Sequence, residues 1–181
     1  MANSTKNPAN VLAKECIVEA LIQLLEEKPL SAITISELTE KAGVSRMTYY
    51  RNYHTKEDIF ETYLDDVMEV YYEEVNMLML QGNLYDVENL AHCFGFLKEH
   101  RYFLDHLFKS GFGYLLLKTI CKYVIKTWYH PEDSMEYYYK LQAFSGSLYN
   151  LYIAWSENGM KEAPEQMARI LYDIYKRERV D

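Results

Sequence analysis

A chain of 181 residues, 49% hydrophobic and 25% charged, has room for one or two small globular domains and none of the bias of a fibrous or disordered chain. Its 3 Cys are odd in number, far apart and in no CxxC pair, which argues against a disulfide framework or a zinc knuckle and fits a reducing cytosol. No apolar run is long enough to span a bilayer and the polar start MANSTKNPAN lacks a signal-peptide pattern, so a cytoplasmic protein is expected; the net charge of -8, taken whole, speaks against a nucleic-acid binder.

Only 7 Gly and 4 Pro leave little turn-making material, and helical periodicity dominates. Residues 11–27 carry Val11, Leu12, Ile17, Val18, Leu21, Leu24 and Leu25 on one stripe, a first amphipathic helix ended by Lys28-Pro29. Thr34, with Glu37 three residues on, is a capping box that starts a second helix. Gly43 stops that helix in a left-handed conformation, Val44 plugs the turn, and Ser45 caps a short third helix. Thr55, with acidic Asp58 at the third helical position, caps a long fourth helix in which Ile59, Phe60, Tyr63, Leu64, Val67, Met68, Tyr71 and Tyr72 keep helical spacing. This helix is expected to leave a first domain and enter a second.

Gly82-Asn83 breaks the chain. Further helices are predicted near 84–99, 101–109, 112–129, 133–157 and 164–178, with breaks at His130-Pro131 and at Gly159 with Pro164. Sustained alternation of β-branched residues is absent. The predicted fold is all-α: a three-helix helix-turn-helix head over residues 1–56, and a larger helical ligand-binding and dimerisation body over residues 57–181.

Divided along that line, the charge takes a different meaning. Residues 1–57 hold seven Lys+Arg and seven Asp+Glu, so the remainder carries the whole acidic excess. The basic groups of the first part gather late, at Arg46, Arg51 and Lys56, where phosphates would lie; the acidic remainder would face away from DNA.

The stretch ITISELTEKAGVSRMTYYRNYHTK therefore reads as a helix-turn-helix whose second helix enters the DNA major groove. Spacing puts Val44, Tyr49 and Tyr53 inward with Leu38 and Ala42, and Ser45, Arg46, Thr48, Tyr50 and Arg51 outward. Arg46 can give two parallel hydrogen bonds to guanine O6 and N7, and Thr48 can bond a base edge or touch a thymine methyl. Tyr50, Asn52, His54 and Lys56 have the reach and chemistry for phosphate oxygens, and Thr34 sits at a helix start, whose N–H groups favour a phosphate. The rival reading is a small helical subdomain with a solvated polar face.

Residues 33–63 resemble the N-terminal domain of the TetR family of transcriptional regulators. The likeness rests on Thr34, the Ala42-Gly43-Val44-Ser45 turn, Thr48-Tyr49-Tyr50, Tyr53 and Lys56-Glu57, and extends over roughly residues 10–65. The resemblance implies that Arg46 and Thr48 face bases and that Thr34, Tyr50, Asn52 and Lys56 touch phosphates. Met47 stands where the family often has Gly or another small residue, and could meet a thymine methyl or crowd the groove. His54 replaces a common Lys or Pro.

The body resembles the family in architecture. Its tail, from Ser145 to Trp155 and from Asn158 to Met167, is similar to the last two helices of many members, which pair with the same helices of a second chain. Ala143, Gly146 and Ser147 make a small-residue patch where helices can approach; Leu148, Leu151, Tyr152 and Trp155 follow, and Met167, Ile170, Leu171 and Ile174 form a second stripe. A two-fold dimer would present two reading helices to a near-palindromic operator. Aromatics reach 15%, with 18 Tyr, which suits a pocket for a ligand of mixed polarity; His92, Phe96, Tyr102, Phe103, Tyr123, Trp128, Tyr138 and Phe144 are its candidates, against the plainer reading that aromatics at helical spacing form core.

No metal or catalytic constellation emerges. His92 and His100 are eight residues apart and Cys93 points to a different helix face from His92, so core or surface roles are expected for these and for His106. The expectation is a homodimeric DNA-binding transcriptional regulator, most often a repressor in such a family, with no enzymatic activity and no cofactor. Its partners would be double-stranded operator DNA and a small-molecule or protein effector, and it would need no membrane. The alternative is a helical protein-interaction module without sequence-specific DNA binding.

Overall fold

The computed structural model describes residues 7–80 and 83–176. Among these the elements are α1 (Pro8–Glu27), a 3₁₀ turn (Leu30–Ala32), α2 (Ile35–Lys41), α3 (Arg46–Asn52), α4 (Glu57–Met77), α5 (Val87–Glu99), α6 (Arg101–Lys109), α7 (Tyr114–Trp128), α8 (Met135–Glu157) and α9 (Pro164–Tyr175), with no strand. Gly82 and the last residues of the predicted final helix lie outside the described residues.

Local chemistry sets the boundaries of the head. α1 begins three residues before its apolar stripe, because Asn7 accepts a hydrogen bond from the Ala9 N–H and Pro8 occupies the first helical position. Leu12, expected in that stripe, is exposed; Ile17, Val18, Leu21 and Leu24 are buried. Thr34 caps α2 by accepting from the Glu37 N–H at 3.2 Å. The reciprocal half of the capping box is missing, since the Glu37 carboxylate pairs with Lys28. That pairing holds it below the usual carboxylate range. Gly43 has φ +66°, a conformation open to glycine at little cost, and the Val44 N–H reaches back to the Thr39 carbonyl at 3.0 Å.

At the start of α4, Thr55 Oγ1 accepts from the Asp58 N–H. Asp58 accepts in turn from the Thr55 hydroxyl at 2.7 Å and from the N–H groups of Thr55 and His54. These bonds, led by the Thr55 hydroxyl, lower the Asp58 pKa. A carboxyl depressed by folding adds stability above its unfolded value, near pH 4, and loses it as pH falls through the folded value. Asp58→Asn is therefore expected to lower stability at pH 7 by a few tenths to about 1 kcal/mol, read as a lower unfolding midpoint, and to narrow its gap to wild type on acidification. Calorimetric scans from pH 7 to pH 3 would show this; a gap that widens on acidification contradicts it.

Helix α4 joins head and body into one core. Phe60, in its second turn, is fully buried, with its ring 6.0 Å from Phe103 and 5.3 Å from Phe112; Tyr63 lies 4.3 Å from Phe103. A second tie comes from α1, where the Glu26 carboxylate accepts from the Tyr102 hydroxyl at 2.9 Å and lies 3.8 Å from His106 Nε2 on α6. Within the body α5 runs along α9 and α7 along α8, with α4 against α7. The final helix is thus packed mainly on α5 of its own chain.

Candidate nucleic-acid interface and body cavity

Ser45 builds the proud helix. Its hydroxyl accepts from the Thr48 N–H at 3.1 Å and lies 3.0 Å from Thr48 Oγ1, so α3 starts at a fixed point just after the turn. Tyr49 and Tyr53 are buried beneath it, their rings 5.6 Å apart, and Leu38 closes the same core from α2. Burying those side chains turns the other face of α3 to solvent: Met47 is 78% exposed and Tyr50 55%, with Arg46 and Arg51 beside them and Thr48 half-buried. Thr34 and Ser45, both exposed, mark the starts of α2 and α3.

Four of the predicted contact residues are already engaged across the head. Arg46 donates to the Ser36 hydroxyl, which lays its guanidinium back across α2. Asn52 forms an amide pair with Asn10 of α1, with both bonds at 3.1 Å, and also donates to the Thr48 carbonyl at 2.8 Å. Its amide is held against α1, where its reach and chemistry had suggested a phosphate contact; Arg51 donates to the same Asn10 oxygen at 3.3 Å. The Lys56 ammonium donates to the Leu30 and Ile33 carbonyls, closing the 3₁₀ turn before α2. Two of its three N–H groups are thus used inside the head. Lys56→Met is expected to cost about 1 kcal/mol of stability for those lost charge-assisted bonds, read as a lower urea midpoint at unchanged slope. An unchanged midpoint would contradict the bracing role.

In the body, α4, α5, α6, α7 and α8 line a cavity of about 60 Å³. Five of the aromatic candidates line it: Phe96, Phe103, Tyr123, Trp128 and Phe144. The other three stand elsewhere. His92 stacks on Tyr71 at 5.4 Å and its Nε2 lies 3.3 Å from Glu74; Tyr102 is exposed on the tie to Glu26; Tyr138 packs on Tyr129 and its hydroxyl accepts from Gln142. All three were chosen from the aromatic-rich composition of the body, which does not say which neighbour each side chain meets. Cys93 bonds Tyr71, and burial pushes its thiol up to about 11, away from thiolate chemistry.

The sequence reading missed Asn89, which is 5% exposed, lines the cavity, and leaves Oδ1 without a hydrogen-bond partner among the described residues. A signal was present: Asn89 lies four and seven residues before Cys93 and Phe96, on the face that turns inward. Asn10 and Ser36, which hold Asn52 and Arg46, gave no such signal.

The eleven predicted pairing residues divide. Leu148, Tyr152, Trp155, Met167 and Leu171 are buried in the chain's own core, because α8 packs on α7 and α9 on α5. Neighbours in their own chain cover them, which leaves little of their surface for a second chain. Ala143, Gly146, Ser147 and Leu151 remain at least partly accessible on α8, while Ile170 and Ile174 on α9 are 45% and 60% exposed. Ser147 lies 2.8 Å from the Tyr175 hydroxyl and links the two helices.

A capped short helix standing out from a three-helix head, on an all-α body reached by one continuous helix, defines a helix-turn-helix DNA-binding protein of the regulator class. Comparison with known proteins narrows this. Residues 17–63 match the family model for bacterial regulatory proteins of the tetR family, and residues 87–177, half of the chain, match the model for a transcriptional regulator C-terminal region. The chain belongs to the TetR family of transcriptional regulators.

Among curated proteins it is 33% identical over 77 residues to the nucleoid occlusion factor SlmA of Alteromonas mediterranea, a match that spans 42% of this chain and 37% of that relative. Among solved structures it is similar to the fatty acid degradation regulator FadR from Bacillus halodurans, with TM-score 0.57, 17% identity, and 94% of this chain and 96% of the other covered. It is also similar to the dihydroxyacetone kinase operon activator DhaS, with TM-score 0.58, 14% identity, and 91% and 94% covered. At these identities the structures speak for the fold alone. No helix among the described residues is long and apolar enough to cross a membrane.

Proposed function

We propose that the chain acts in the cytoplasm as a homodimeric repressor, binding operator DNA through residues 1–56 and answering to an effector in residues 57–181. One observation carries the reading: burial of Tyr49 and Tyr53 leaves Arg46, Met47, Tyr50 and Arg51 on the solvent face of a Ser45-capped helix. Arg46 would swing from Ser36 to a guanine edge, and Thr48 and Met47 would meet neighbouring bases. Thr34, Ser45, Tyr50 and Arg51 would hold phosphates. The third N–H of Lys56 would add a phosphate contact, so its loss should weaken all sequences alike; Asn52 supports the face through Asn10.

The outward patch of Ala143, Gly146, Ser147, Leu151, Ile170 and Ile174 is the candidate meeting surface for a second chain. An effector that widens the cavity would displace α4, whose start at Glu57 follows directly on the head, and so change the separation of the two reading helices. It would do so only by binding the displaced state more tightly.

The test is a gel shift with DNA from upstream of the chain's own operon across a salt series. A complex that holds two chains and weakens steeply with salt supports the reading. Absence of any salt-sensitive complex would favour the protein-interaction module. A promoter–reporter fusion gives the sign: expression should rise when the chain is deleted.

A further inference from the structure

Every side chain that lines the body cavity is uncharged or neutral at pH 7. Leu, Val, Ile, Met, Phe, Tyr and Trp make up most of the wall, and among the described residues no Asp, Glu, Lys or Arg reaches it. The wall's one histidine, His100, has its pKa lowered by burial, so its imidazole is neutral at pH 7. An ionic ligand would find no counter-charge there and would lose its hydration.

The polar groups differ in one respect. Tyr71 bonds Cys93 and Tyr123, so those hydroxyls and the thiol are matched to each other. Asn89 Oδ1 is matched to nothing among the described residues, although the residue is 5% exposed. A buried acceptor without a partner is costly, and a ligand donor would remove that cost.

Size adds a constraint. A cavity able to hold benzene measures roughly 150 Å³, whereas this one is about 60 Å³. An aromatic ligand must therefore push its wall outward. The wall includes Tyr63, Val67 and the pliable Met68 of α4. Widening on that side would move α4.

We propose that the cavity takes a small, uncharged, mainly apolar ligand carrying one hydrogen-bond donor, and that Asn89 is the residue that selects it. This rests on reading the body as the effector-binding part of a regulator. The ligand binds the widened state, and the donor closes on Asn89 Oδ1.

Three probes of one shape separate the terms: 4-methylphenol, 1,4-dimethylbenzene, which replaces the hydroxyl by a methyl, and 4-methylbenzoate, which adds charge. In sealed-cell calorimetry the phenol should bind the full chain about tenfold or more tighter than either of the others. In Asn89→Leu the advantage over dimethylbenzene should vanish, while the unliganded melting point stays level or rises by about 2–4 °C. Asn89→Ala supplies the same comparison if the Leu variant does not fold.

The proposal is overturned if wild type holds dimethylbenzene or the benzoate as tightly as the phenol, if it binds none of the three at millimolar concentration, or if the variants keep the preference. Operator binding by the same unliganded samples tells the two layers apart. DNA bound with the wrong probe ranking sinks the ligand class alone; wild type that binds no operator sinks the regulator reading beneath it.

Discussion

Arg46→Ala should abolish discrimination at one base pair in each operator half-site while leaving the fold intact. Its side chain is exposed and its one described hydrogen bond goes to the exposed Ser36 hydroxyl, so the stability change should stay within about 0.5 kcal/mol. On DNA the loss is larger. A two-pronged guanidinium bond to guanine is worth about 1–3 kcal/mol against the wrong base. In a two-fold complex the two contacts are far apart and should add, giving about 2–6 kcal/mol, on the order of 10–10⁴-fold in affinity. Fluorescence anisotropy on the operator and on single-base variants reads this directly. At the base pair that Arg46 reads, the variant should bind all four bases about as weakly as wild type binds the worst of them. Unchanged affinity and unchanged preference would mean that another face of the head reads DNA.

The second large effect lies in the body. Trp155 is 2% exposed, its ring stands edge-on to Phe94 of α5 at 5.8 Å, and the Lys98 ammonium lies 5.5 Å over it. Its indole N–H has no hydrogen-bond partner among the described residues, so the side chain acts through packing. Trp155→Ala should remove about 3–5 kcal/mol, the range for a large aromatic emptied from a core. Trp155→Phe keeps the ring and discards an unmatched donor, and should cost clearly less. Urea denaturation of the three proteins is the measurement. If the Ala variant loses under about 1 kcal/mol, Trp155 is a surface group that a partner chain covers, and its placement inside this chain is wrong.

That placement shows what the sequence could and could not convey. Thr34, Gly43, Ser45 and Thr55 were legible because a cap acts within a few residues of itself, and so the starts of α2, α3 and α4 were foreseeable. Leu148, Tyr152, Trp155, Met167 and Leu171 were correctly seen as apolar faces, yet assigned to a second chain. Periodicity says which residues share a face and is silent on which neighbour covers it. Here α5 and α7 cover those faces, and the small side chains of Ala143, Gly146 and Ser147 are left toward the outside.

The reading face tells the same story at closer range. Arg46, Tyr50 and Arg51 were placed outward by their spacing from Tyr49 and Tyr53, and they are outward. Asn52 and Lys56 were given to phosphates because their chemistry allows it. Their amide and ammonium are instead occupied by Asn10 on α1 and by the Leu30 and Ile33 carbonyls, partners 42, 26 and 23 residues away in sequence. A polar side chain that can bond many groups takes the one that tertiary structure brings within reach, and local pattern does not encode it. The cavity repeats the point: the aromatic count suggested a pocket, whereas the unmatched Asn89 oxygen emerged only once the walls were assembled.

The claim that α3 reads the major groove with Arg46 is tested most directly by methylation interference on the operator. Methylating guanine N7 blocks a major-groove acceptor and leaves the minor groove unchanged. Wild type should be excluded by methylation of one guanine in each half-site, the two separated by about one helical turn or a multiple of it, and Arg46→Ala should be indifferent to both. Interference confined to the minor groove, or identical for wild type and Arg46→Ala, would contradict it.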